Sequence, residues 1–155
     1  MLTAHLPSGY LLYRAQPVQA LPVLAAALVG AVLPDIDMIF FYLVDHRAIH
    51  HHRYWVHVPL FWAGVAALVL PLLYRRGWHW PGLVFFAAIG LHMVLDSIGG
   101  GIMWGAPFDT RLHALVTVPA SQSHWVLSFI LHWTFLAELM IWGAALTLFL
   151  RRSRA

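Results

Sequence analysis

The chain has no cysteine, no lysine and a single glutamate, Glu138. The missing cysteine rules out disulfides, thiolate metal ligands and a thiol nucleophile, so any metal site must use histidine and carboxylate. The missing lysine means that arginine alone carries the +3 net charge. Those arginines are scattered singly or sit at the ends of apolar runs, where membrane topology explains them and a nucleic-acid partner does not. Charge of either sign is scarce: 10% of residues are charged against 61% hydrophobic, with a mean hydropathy of +0.75. Such a composition lies far outside the soluble range. Alternating apolar and polar positions are also missing, which excludes a membrane barrel and leaves helices. No basic stretch precedes the first apolar run, so no cleaved leader is expected. There is no internal repeat or low-complexity linker, and residues 1–155 read as one domain.

What is present is a series of apolar runs approaching the ~20 residues that cross a bilayer. The first helix is expected over 18–33, VQALPVLAAALVGAVL, and Pro34 interrupts it. MIFFYLV (38–44) keeps the chain near the membrane, and DHRAIHHHRY (45–54) is a polar loop. Further helices are expected over about 55–74, ending at Arg75-Arg76-Gly77, and over about 82–98, ending at Gly99-Gly100-Gly101. An irregular connection (102–124) carrying Pro107 and Pro119 then leads to a last helix over about 125–150. Residues 2–16 either lie in the interface or form the first arm of a helical hairpin turning near Gln16-Pro17, which would return His5 to the face of Asp35. The expected fold is an all-α polytopic membrane helix bundle, with about four transmembrane helices plus a short N-terminal helical segment. Arg75, Arg76, Arg151, Arg152 and Arg154 fall on one side, and Arg47, Arg53 and Arg111 on the other. The bias makes the first side cytoplasmic.

Ionisable groups in or beside membrane helices are costly and therefore functional candidates. His92 and Asp96 are four apart on one helical face, a spacing that lets both reach one ion or lets the acid orient the ring. In LPDID (33–37), Asp35 and Asp37 diverge by ~200° on a regular helix. One suits a metal ligand, and the other a second ion or a brace behind a histidine. The pattern H-R-x-x-x-H occurs twice, as His52, Arg53 and His57 and as His46, Arg47 and His51. Spacing alone does not choose between them. His5 is a lone histidine near a terminus. Glu138 and His132 are six apart and do not share a face. Three of these places fall at one side of the membrane. Histidine with carboxylate suits zinc, and also manganese or iron.

With these residues assembled, the chain resembles the membrane-bound metal-dependent hydrolases of the YdjM type. The resemblance runs from His5 and Gly9 through LPDID (33–37) and HRYWVH (52–57) to His92–Asp96 and SIGGGIMWGAP (97–107). It favours His52 and His57 over the earlier pair. Tyr54 and Val56 stand where the family often has glycine and threonine. The family in turn is distantly similar to zinc-dependent phospholipase C, which implies His5, Asp35, His57, His92 and Asp96 as ligands, with His52 beside them. The second H-x-x-x-E of those soluble enzymes is missing, so one or two ions are implied rather than three.

The expected activity is metal-assisted hydrolysis of a phosphoester or other ester, of a small molecule or a lipid, by a protein whose solvent is the lipid bilayer of a bacterial inner membrane. The site would lie toward the non-cytoplasmic face. Asp37 is the candidate general base or brace, and Arg53 the candidate bidentate anchor for an anionic substrate. The rivals are a metal-ion or proton transporter, whose site would lie near the midplane, a bis-histidine haem protein, and a catalytically silent scaffold.

Overall fold

A computed structural model describes residues 3–152, which are mostly helical. α1 (His5–Arg14) turns back through residues 15–20 into α2 (Leu21–Val32), so the N-terminal segment is the arm of a hairpin. Pro22 opens α2 at a position where its missing N–H costs nothing. Pro34 does not end the helical path as expected. The chain tightens into a 3-10 turn, Leu33–Ile36, with the proline in its first positions, and continues as α3 (Asp37–Leu43). Two further 3-10 turns, His51–Arg53 and Trp55–His57, precede α4 (Pro59–Arg75), which therefore starts later than the apolar run suggests. α5 (His79–Asp96) returns antiparallel to it.

The connection after α5 is more ordered than its prolines imply. β1 (Ile98–Gly99) pairs in parallel with β2 (Val116–Thr117), Ile102 and His113 form an antiparallel bridge, and the Leu115 N–H donates to the Ser97 carbonyl at 2.7 Å. The last apolar run is two helices, α6 (Trp125–Ile130) and α7 (Trp133–Arg152), rather than one. The break falls at His132, whose ring accepts from the Thr134 N–H at 3.4 Å and so caps the start of α7.

Three stretches are long and apolar enough to cross a membrane: 21–43 with 23 residues, 79–96 with 18 and 133–151 with 19. α4 is apolar but shorter, at 17 residues, so the expected count of four is not reached by length. Lipid gives helices no hydrophobic reason to associate, so close packing of small residues must hold them together. A Cβ at Gly30 of α2 would fall 2.4 Å from the Phe85 carbonyl oxygen and 3.1 Å from Ala88 Cβ on α5. One at Gly9 of α1 would fall 2.7 Å from the Ala27 carbonyl oxygen and 2.7 Å from Ala31 Cβ on α2. The outer surface is apolar, with Leu21 at 76% and Leu68 at 75% exposure.

α1 and α7 run parallel. At one end Thr3 meets Glu138, and at the other the Arg14 guanidinium donates to the Leu148 carbonyl at 3.2 Å. Arg14, Arg75, Arg76 and Arg151 share this second end, while Arg154 lies outside the described residues. α2 and α5 finish at the first end, where α1 and α7 begin, and the functional candidates collect there.

Candidate metal centre

Close approach of α1, α2 and α5 brings their polar residues together. With Gly9 seated against Ala27 and Ala31, the His5 ring stacks on His92 with centroids 3.9 Å apart. His92 Nδ1 lies 2.8 Å from the Ala31 carbonyl oxygen, near the α2 terminus where carbonyls lack helical partners. That acceptor places the proton on Nδ1 and turns the lone pair of Nε2 inward. His52 is held in the same way, with Nδ1 2.7 Å from the Gly101 carbonyl oxygen. Gly100 makes room for it, because a Cβ there would fall 2.4 Å from His52 Cε1. His57 Nδ1 lies 2.8 Å from Asp37 Oδ2, and both residues are fully buried. Three imidazoles thus have an outer nitrogen held by a carbonyl or a carboxylate, the arrangement that orients metal-ligating histidines.

The inner atoms converge on Asp96. Its Oδ2 lies 2.9 Å from His92 Nε2, 3.5 Å from His57 Nε2 and 3.5 Å from His52 Nε2, and its Oδ1 lies 3.1 Å from His5 Nε2. His57 Nε2 and His92 Nε2 are 3.2 Å apart, and Asp35 Oδ1 is 3.8 Å from His92 Nε2. Two ring nitrogens turned toward each other at this distance need a proton or a cation between them. Ligands at ~2.0 Å from a tetrahedral zinc stand about 3.3 Å from one another. The His92–Asp96, His57–His92, His57–Asp96 and His92–Asp35 separations, from 2.9 to 3.8 Å, bracket that value. The donor set is therefore one that could hold a divalent ion, and Asp96 presents its second oxygen to His5.

Electrostatics in the turns before α4 prepare the rings differently. Burial lowers His51 and His52 to about 4, leaving both neutral at pH 7 with lone pairs available. Burial also opposes the charged form of His57, but the carboxylates of Asp37 and Asp96 outweigh it and raise that ring to about 9.

All of His5, Asp35, Asp37, His52, His57, His92 and Asp96 are thus brought to one place. The two acids of LPDID separate as their spacing implies: Asp37 is wholly buried behind His57, while the Asp35 side chain is 39% exposed and faces a cleft of about 660 Å³. Arg53 does not join them. The 3-10 turn sends His52 inward and leaves Arg53 exposed, and Arg53 is not among the residues lining the cleft. Of the earlier histidine pair, His46 is exposed, but His51 lines the cleft and lies 3.9 Å from Asp37. Its place inside a run of three histidines was the available signal. No spacing pattern pointed to Glu138. It is fully buried and accepts from the Thr3 N–H at 2.8 Å and the Thr3 hydroxyl at 2.6 Å, fixing the chain two residues before His5.

A helical membrane protein with a buried histidine and aspartate cluster at one end of its bundle is the class that fold and site define. Residues 2–152 match the family model described as YdjM inner membrane protein, and the chain belongs to that family. Among curated proteins and among solved structures no match is found.

Proposed function

We propose that this protein is a membrane-embedded metal-dependent hydrolase acting on a phosphoester or other ester. The observation that carries the reading is the convergence of four imidazole Nε2 atoms on the one carboxylate of Asp96, each within 3.5 Å, beside an open cleft. His57, His92 and Asp96 would hold one zinc ion with a position left for water on the side of Asp35 and the cleft, and His5 and His52 with Asp96 would add to this centre or hold a second. Manganese or iron would suit the same donors. Such an ion supplies a Lewis acid and lowers the pKa of a bound water toward ~7.

The protein's own groups do the rest. Asp37 keeps His57 oriented, and its burial removes it from contact with substrate. Asp35 borders the cleft and is the acid placed to take the proton of the attacking water. The water oxygen bonds to phosphorus or to the carbonyl carbon, the bond to the leaving oxygen breaks, and the proton passes from Asp35 to that oxygen. The products are an acid and an alcohol. Arg53 has no part in this scheme. In this reading α4 also crosses the bilayer, making four spans, and the arginine end faces the cytoplasm.

Elemental analysis of detergent-purified protein, joined to a panel of phosphoester and carboxylic ester substrates, tests the proposal. One or two zinc per chain with turnover of at least one ester class is expected. Metal-free protein that regains neither metal nor turnover on zinc addition would sink it, and metal flux into liposomes without turnover would favour a transporter.

A further inference from the structure

The cleft above the acids has a composition of its own. His5, Asp35, His51, His52 and Asp96 line one part of it. The remaining wall is largely apolar and comes from three elements: Met38 of α3, Ile98 of β1 with Val118 just after β2, and Trp125 with Phe129 of α6. Gln122, Ser123 and Ser128 are the polar side chains of that wall. Among the described residues no arginine lines the cleft, and the chain has no lysine. A nucleotide or another polyanion is gripped by arginine or lysine forks, and this cleft offers none. Its volume, about 660 Å³, falls within the ~300–1,000 Å³ range of small-molecule sites.

The surroundings say where the ligand comes from. Met38 faces the cleft while its neighbours Ile39 and Phe40 are 54% and 43% exposed on the outside of α3, in the apolar stretch that continues from α2. Trp125, on the cleft's other wall, is 63% exposed. Apolar side chains that line the cleft thus adjoin apolar side chains exposed on the outside of the bundle.

We propose that this cleft binds the apolar tail of a membrane amphiphile, whose compact, weakly charged ester headgroup reaches Asp35 and Asp96. The inference rests on the hydrolase reading for the headgroup and on the cleft wall alone for the tail.

The test uses the full chain in nanodiscs, zinc-loaded, with butyl-, hexyl- and octylphosphonate as inert probes in titration calorimetry. The dissociation constant should fall about two- to fourfold for each added methylene, following the transfer free energy of a buried CH₂. Phe129→Ala, Val118→Ser and the exposed Trp125→Ala should each flatten that series, weakening octylphosphonate more than butylphosphonate. Variants on two separate stretches, α6 and the residue after β2, keep the test alive if one fails to fold. A flat series in the wild type overturns the proposal. So does a slope that every folded variant retains, since the chain would then only be partitioning into the disc. Glycerol phosphate binding as tightly as octylphosphonate also overturns it. The p-nitrophenyl esters of the same phosphonic acids separate the two readings. Chain-dependent binding without release of nitrophenolate removes the hydrolase and keeps the tail site. Release at equal kcat/KM for butyl and octyl esters keeps the hydrolase and removes the tail site.

Discussion

At the end of the bundle where α2 and α5 finish, a set of histidines and aspartates turns inward; at the end where α4 finishes, arginines turn outward. The first end buries Asp37, His57, His92 and Asp96 at 0–3% exposure. The second holds Arg75, Arg76 and Arg151 exposed, with Arg14 half-buried and tied to the last turns of α7. The two ends are made of similar apolar helices, so burial there is not a consequence of hydropathy. It follows from partners. His52, His57 and His92 each find an acceptor for the outer nitrogen, whereas arginines at helix ends already have solvent and terminal carbonyls. A buried polar cluster is costly unless satisfied, and a divalent ion among these donors is the completion proposed above.

The comparison is broken most severely at the inward end. His92→Ala and Asp96→Asn should each reduce bound metal to background by elemental analysis while the protein stays in the membrane fraction. Full metal in both variants would show that the inward cluster is only structural. Next in size, Asp37→Asn should weaken metal affinity about 10- to 100-fold, the usual cost of losing the group behind a ligating histidine, measured by chelator competition. A smaller effect comes from pH. His57 is raised to about 9 in the metal-free protein, so below that pH an incoming ion must displace its proton. Apparent affinity should therefore climb up to tenfold per pH unit from 7 to 9 and level off above. Affinity independent of pH across this window would mean that His57 is not a ligand.

Glu138→Ala should lower stability by about 1–3 kcal/mol through the unpaired Thr3 donors. It should also weaken metal binding only while His5 is present. A double-mutant cycle with His5→Ala should show coupling in metal affinity of about 0.5–3 kcal/mol, and strict additivity would reduce Glu138 to a generic packing role. The smallest effect belongs to the outward end. Arg75→Ala with Arg76→Ala should change stability by no more than about 0.5 kcal/mol and leave metal content unaltered. Loss of metal there would erase the distinction between the two ends.

Much of the site is legible in the sequence. His92 and Asp96 could be paired from a spacing of four, because a helix places such residues on one face whatever surrounds it. The divergence of Asp35 and Asp37 followed from the same geometry. Other features were not readable, for reasons of the same kind. Arg53 looked like a site residue because it stands beside His52, but in a 3-10 turn adjacent residues face different ways. His51 looked like the weaker alternative, and only the turn geometry shows it at the cleft. The break at His132 hides inside an apolar run that hydropathy reads as continuous. Glu138 reaches Thr3 across 135 positions of sequence, and no local pattern encodes so distant a hydrogen bond.

Composition by itself determined that this chain lives in a membrane, is helical, and can offer a metal no thiolate. These properties follow from side-chain chemistry and from periodicity within single helices. Tertiary structure decided which nitrogens meet which carboxylate, that Asp37 stands behind His57 while Asp35 meets the cleft, and that α6 with the β1–β2 pairing walls it. Those outcomes depend on helices touching at Gly9 and Gly30, where backbone approaches backbone, and such distances between remote segments are set only when the whole chain packs.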